Sequence, residues 1–190
     1  MAVRHSKKRV ATGAQRSALR ENVESLVWAA AIALVIRTFI MAPFKIPSGS
    51  MRPTLMEGDR ILVNKFVYRF REPQRGEVVV FKYPDNTKRP FIKRLAAIHG
   101  DTVEIRDGQV VVNGQALDGT GIFSHNVYYN QGPYGQEKQA ITVPQDSFFV
   151  LGDNSASSHD SRFWGFVPRP LLIGRAMVIF WPVMRWRLLR

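Results

Sequence analysis

Residues 102–117 read TVEIRDGQVVVNGQAL, in which Asp107-Gly108 and Asn113-Gly114 separate short apolar runs. Both dipeptides tolerate the positive φ angles of two-residue hairpin turns, so the stretch predicts consecutive antiparallel strands. The same pattern continues outward. ILVNKFVY (61–68), EVVVFKY (77–83), FIKRLAAI (91–98), SFFVL (147–151) and AMVIFW (176–181) are short, rich in branched and aromatic residues, and bounded by Gly, Pro or Asp. No helical periodicity of any length follows residue 45. The reading is a mainly β domain over 45–190, with a small hairpin-and-loop insertion at about 102–146. Within it, residues 118–146 are polar and Gly-rich and read as a long loop.

Upstream the pattern changes. Residues 25–44, SLVWAAAIALVIRTFIMAPF, are close to the 20 or so residues a helix needs to cross a bilayer. They predict a single transmembrane helix. Arg37 is its flaw, but it lies past the midpoint, where its long side chain can snorkel to the interface. A cleaved leader is the rival reading. The small-residue site after Ala42 has Ile40 at −3 and Pro43 at +1, and a proline there obstructs cleavage, so the segment is expected to stay as a signal anchor. Residues 1–24 are a basic segment in which Arg4, Lys7, Lys8, Arg9, Arg16 and Arg20 face only Glu21 and Glu24. The positive-inside rule puts that flank in the cytoplasm and everything after Phe44 outside.

Composition narrows the functional classes. The 190 residues carry a formal net charge of +12, which suits nucleic acid, an anionic membrane surface or acidic partners. From Lys45 onward the basic residues are dispersed, and neither a zinc finger nor a Gly-rich RNA-binding segment is present, which argues against nucleic acid. With no cysteine, disulfides, thiolate metal sites and thiol catalysis are excluded. His5, His99 and His125 are scattered and do not suggest a metal site, and no cofactor is expected.

Three blocks carry the chemistry. FKIPSGSMRPTL (44–55) places Ser48 and Ser50 around Gly49 between Pro47 and Pro53, a stiff segment able to present a hydroxyl. Alone it is also an ordinary loop. FIKRLAAIHGD (91–101) sets Lys93 in an apolar strand, with Phe91 on its face and Ile92 and Arg94 on the other. A lysine among apolar neighbours loses solvation, its pKa falls, and the neutral amine can take a proton from a serine hydroxyl. Alone it is also a surface lysine at a strand edge. LGDNSASSHDSRFWGFVP (151–168) supplies Asp160 and Arg162 as a pair to hold the loop, and Ser158 to orient the amine.

Taken together, these blocks resemble the bacterial type I signal peptidases, the Ser–Lys leader peptidases, over nearly the whole chain. The likeness lies in PSGSMxPTL, GDRILVNKF (58–66), GEVVVFKYP (76–84), FIKR, GDNxxxSxDSRxWGFVP (152–168) and GRAMVIFW near the end. It implies a membrane-bound serine endopeptidase that removes signal peptides from exported preproteins after small residues at −1 and −3. Ser50 would be the nucleophile and Lys93 the general base. Ser48 would serve the oxyanion, and Ser158 would hydrogen-bond Lys93. Asp153, Asn154, Asp160 and Arg162 would support the site. Phe44, Ile46, Met51, Leu55, Phe91 and Ile92 would line shallow apolar pockets, and the substrate would add as a strand near 44–47 and 91–93. The expected partners are preprotein signal peptides, the lipid bilayer and a nearby export translocon. The expected location is the plasma (inner) membrane with the catalytic domain on the extracytoplasmic face.

Departures from the family pattern fall at Ser155, Ala156 and Ser157, and at Ala97-Ile98-His99 ahead of Gly100-Asp101. The segment between the lysine and GDN blocks is too short for a full second domain. A His159–Asp160 triad is disfavoured, since sequence neighbours rarely point so as to bond one another. A self-cleaving Ser–Lys repressor would need a DNA-binding domain where the anchor stands. The remaining alternative is an inactive, membrane-anchored peptide-binding or scaffold domain, although such a member should have lost Ser50 or Lys93. The C-terminal MVIFWPVMRWRLLR (177–190) reads as a core strand with a basic tail, or as an interfacial contact through Trp181 and Trp186.

Overall fold

The computed structural model describes residues 11–35, 40–117 and 121–189. The chain divides into two compact units, Met1–Ile40 and Met41–Arg190. In the first, Ala11–Val35 form helix α1, whose Leu26, Trp28, Ile32 and Leu34 are exposed. Among the described residues no helix is long and apolar enough to cross a membrane. The expected span over 25–44 is corrected at its far end. Ile36–Phe39, and with them Arg37, lie outside the described residues, and Met41–Lys45 form strand β1. The basic positions Arg4, Lys7, Lys8 and Arg9 also lie outside them. The reason for the correction is pairing: β1 lies antiparallel to β2 (Arg60–Asn64), with Phe44 opposite Ile61. Pro43, which has no N–H to donate, is tolerated because β1 is an edge strand.

The second unit is mainly β. Its larger sheet has the order β1-β2-β11-β3-β4-β9-β10, with β12 also paired to β11. Here β3 is Val78–Tyr83, β4 Asn86–Ile98, β9 Ser147–Leu151, β10 Val167–Pro168, β11 Leu172–Trp181 and β12 Arg187–Leu188. The smaller sheet has the order β7-β6-β5-β8, from β5 (Thr102–Arg106), β6 (Gln109–Val112), β7 (Gln115–Ala116) and β8 (Ile141–Thr142). Its turns fall where Asp107-Gly108 and Asn113-Gly114 predict them, and all four residues have positive φ, from 51° to 78°.

Strand β3 is buried on both faces. Val78 and Val80 join a core with Met51, Leu55, Ile61 and Ile179, whereas Val79 and Phe81 join one with Leu95, Phe148 and Val150. That accounts for its unbroken apolar sequence. Two expectations change. The strand predicted over 61–68 stops at Asn64, whose side-chain oxygen accepts from the N–H groups of Phe66 and Val67 and curls the chain into a short 3-10 turn. The loop expected over 118–146 is partly core, because Phe123, Tyr128 and Val143 are buried with Val103, Ile105 and Phe149. Asp118–Thr120 lie outside the described residues.

Candidate active site

Ser50 sits in the 3-10 turn Gly49–Met51, directly after the edge strand. Pro47 and Pro53 bracket the turn, and the loop after β9 clamps it. Asn154 donates its backbone N–H to the Ser50 carbonyl at 3.0 Å and its side-chain amide to the Gly49 carbonyl at 3.1 Å. Lys93 arrives from β4, paired with Val79 of β3. Its Nζ lies 2.7 Å from Ser50 Oγ and 3.1 Å from the Ile92 carbonyl, and 5.5 Å from the centre of the Phe91 ring. Only 4% of the residue is exposed. Burial pushes its ammonium down to about 8; the carboxylates of Asp160 and Asp153 pull the other way but do not offset the loss of solvent.

Two buried ion pairs stand behind this contact. Asp160 and Arg162 are both fully buried and bonded twice, Nε to Oδ1 and Nη2 to Oδ2, each at 2.8 Å. Arg162 also donates to the Tyr129 carbonyl and to the Ser155 hydroxyl and carbonyl. Asp160 accepts from the Gly152 N–H at 3.0 Å, which ties the pair to the loop carrying Asp153 and Asn154. Asp153 is in turn gripped by Arg94 at 2.8 and 2.6 Å. The sequence offered no partner for Asp153, and Arg94 was seen only as the residue on the far face of Lys93. Its place next to Lys93 on β4 is the one signal that points to it.

Comparison with known proteins places these residues in a family. The family model described as "Signal peptidase, peptidase S26" matches residues 19–181. The chain belongs to this family. It is 44% identical over 171 residues to a protein of Synechocystis described as a probable signal peptidase I-2, covering 87% of this chain and 75% of that one. To the signal peptidase I of Leptolyngbya laminosa it is 44% identical over 176 residues, covering 89% and 83%. The signal peptidase I of Aquifex aeolicus is 35% identical over 216 residues, with 86% and 84% covered.

In this signal peptidase the expected residues mostly converge. Ser48, Ser50, Phe91, Lys93 and Asn154 line one polar cavity of about 460 Å³, together with Gly49, Arg52, Glu57, Ser157 and His159. A small cavity of about 100 Å³ between Pro47, Pro90 and Ile92 also reaches Ser48, Ser50, Phe91 and Lys93. Beyond it lies an apolar groove of about 300 Å³, walled by Phe44, Ile46 and Pro47 on one side and by Pro90, Phe91 and Ile92 on the other. Ile61 and Val80 form its floor, so the sheet curls until β1 and the start of β4 face each other.

Three expectations do not hold in the described residues. Met51 and Leu55 line none of these cavities; both are fully buried in the core beneath the turn, because the chain after Ser50 turns inward, with the Leu55 N–H bonded to the Met51 carbonyl. The Ser158 hydroxyl is buried but has no hydrogen-bond partner, so the expected bond to Lys93 is not made. The reason is that the amine's bonds go to Ser50 and Ile92 instead. Gly152 provides clearance here, since a Cβ there would stand 2.0 Å from Ser158 Oγ and 2.6 Å from the Ser50 carbonyl oxygen. The departure at Ser155 is absorbed by burial, its hydroxyl accepting from the Tyr129 N–H and from Arg162. His159 is exposed at the cavity rim, with Nε2 3.2 Å from the Tyr83 hydroxyl.

Proposed function

We propose that this enzyme cleaves N-terminal signal peptides from exported preproteins after small residues at −1 and −3, with Ser50 as nucleophile and Lys93 as general base. The observation that carries the reading is the 2.7 Å contact between Lys93 Nζ and Ser50 Oγ in a pocket that keeps the lysine almost free of water. The neutral amine takes the Ser50 proton as Oγ attacks the scissile carbonyl. The Ser48 hydroxyl and the Ser50 N–H stabilise the oxyanion. As the intermediate collapses, Lys93 returns the proton to the leaving amine. It then deprotonates the water that releases the acyl group from Ser50.

The apolar groove supports the substrate reading. Its walls come from the edge strand β1 and from the part of β4 that β9 does not cover, so an extended peptide can hydrogen-bond backbone to backbone between them. The cavity at Ser50 is small, which suits alanine-sized side chains.

Purified, detergent-solubilised enzyme is expected to cut a preprotein bearing an Ala-X-Ala site after the −1 alanine, as read by the mass of the mature product. The rate is expected to rise with pH through about 8 and then level off, because only the deprotonated amine serves as base. A folded enzyme that leaves the preprotein intact would favour the scaffold alternative, and a pH-independent rate would remove Lys93 as base.

The same reading places the catalytic unit at the extracytoplasmic face of the inner membrane. The charge asymmetry around residues 25–35 supports it. So does a strip on β11 and the turn after it, where Trp181, Val183, Met184, Trp186 and Leu188 are exposed beside Arg187. Brominated lipid in vesicles is expected to quench the enzyme's tryptophan fluorescence. The Trp181→Ser, Trp186→Ser double variant should lose a substantial part of that quenching; unchanged quenching would remove the strip from the contact.

A further inference from the structure

The three cavities lie in series across the nucleophile. The apolar groove shares Pro47, Pro90, Phe91 and Ile92 with the small cavity, which shares Ser48, Ser50, Phe91 and Lys93 with the polar one. A peptide has two sides at its scissile carbonyl. If the signal-peptide side occupies the apolar groove, as the proposed function requires, the chain leaves Ser50 through the polar cavity. Whatever lies there belongs to the start of the mature protein.

That cavity has a defined chemistry. Arg52 grips Glu57 with Nε and Nη2 at 2.8 and 2.7 Å, and the two side chains are 50% and 41% exposed. The pair lies over the turn that carries the nucleophile, since a Cβ on Gly49 would meet Glu57 Oε1 at 3.0 Å and Arg52 Nε at 3.1 Å. Bonding to a backbone N–H and to Arg52 holds the Glu57 carboxyl below its usual range, so it is charged under working conditions. Among the described residues Glu57 is the one carboxylate lining the cavity, which Arg52, Lys93 and His159 also line. Asn154 and Ser157 add neutral polar groups, and Tyr83 and the Phe163 ring hold His159 on the rim.

We propose that this polar cavity receives the first residues of the mature chain and that Arg52 selects an acidic side chain there over a basic one. Glu57 orients the guanidinium without saturating it, leaving a half-exposed fork face that a substrate carboxylate can join. A substrate lysine or arginine meets the same face and is repelled.

The test uses full-length enzyme in detergent and peptides with one Ala-X-Ala site that differ only in Asp, Ala or Lys at the second residue after the cut. Wild type is expected to favour Asp over Lys in kcat/KM by about two- to fivefold, the range for a partly exposed ion pair. Arg52→Ala should bring that ratio to about one, and Glu57→Gln should widen it by freeing the guanidinium. Reading the ratio within each variant removes any general loss of rate. A wild-type ratio of one, or a ratio that survives Arg52→Ala, overturns the inference while leaving cleavage itself standing. If Arg52→Ala is too slow to read, a ratio that fails to widen in Glu57→Gln overturns it as well. Wild type that cuts none of the peptides sinks the proposed function, and the inference with it.

Discussion

Lys93→Met is expected to abolish cleavage, by about 10⁴-fold or more, while leaving the protein folded and more stable than wild type. The two halves of that expectation share one cause. Burial holds the Lys93 ammonium down to about 8 against an ordinary value of 10.5. The folded state therefore binds this proton less well than the unfolded state does, and the charge makes folding less favourable by about 3 kcal/mol near neutrality. The penalty is full below about pH 8 and fades as pH rises toward 10.5. Methionine fills the same channel without it. Among the described residues, the missing amine is the only base that hydrogen-bonds Ser50 Oγ. Lys93→Arg should be equally inactive, because a guanidinium does not deprotonate, and less stable, because it keeps the charge in a site built for a thinner chain. Ser50→Ala should match Lys93→Met in rate, and the double variant should be no slower than either, since the two act as one unit. Rates measured on an Ala-X-Ala preprotein, with urea denaturation alongside, separate chemistry from folding. Residual cleavage by Lys93→Met above about one part in a hundred would assign the proton to another residue.

Much of this site was legible in the sequence, for reasons that differ from residue to residue. The hairpin turns could be read because Asp107-Gly108 and Asn113-Gly114 carry their own φ requirement. Ser50 and Lys93 could be named because their motifs resemble those of a known family, although 43 positions separate them and periodicity cannot bring them together. What stayed hidden depends on register. The grip of Arg94 on Asp153 follows from β4 lying beside β9 with Arg94 opposite Leu151, a pairing invisible in one dimension. Met51 and Leu55 look like pocket residues in sequence and become core because the turn after Ser50 sends them inward. Phe123 and Tyr128, isolated in a polar, Gly-rich stretch, showed no periodicity to betray that they cap a core. The end of the apolar segment was misjudged for the opposite reason. Met41–Phe44 are apolar enough for an anchor, and only pairing with β2 shows that they serve the sheet.

Asp160→Asn is expected to cost about 3–5 kcal/mol of stability. Arg162 is fully buried, so removing its partner strands an uncompensated guanidinium. Without the carboxylate it keeps neutral acceptors, namely the carbonyls of Tyr129, Ser155 and Ser158 and the Ser155 hydroxyl. For a chain of this size that penalty lowers the melting temperature by about 10 °C. Arg162→Ala should be destabilising from the other side, leaving the Asp160 carboxyl buried without its partner. Replacing both partners with apolar residues removes the stranded charge, so part of the stability should return. Activity should not return with it. Asp160 also accepts the Gly152 N–H, and that loop presents Asn154 to the carbonyls of Gly49 and Ser50. An apolar pair can fill the volume but cannot direct those bonds, and a small displacement of the Ser50 turn lengthens the 2.7 Å contact on which proton transfer depends. If the double variant regained stability and full activity together, the pair would be serving the fold alone. If it regained stability without activity, the buried ion pair would be serving to position the nucleophile.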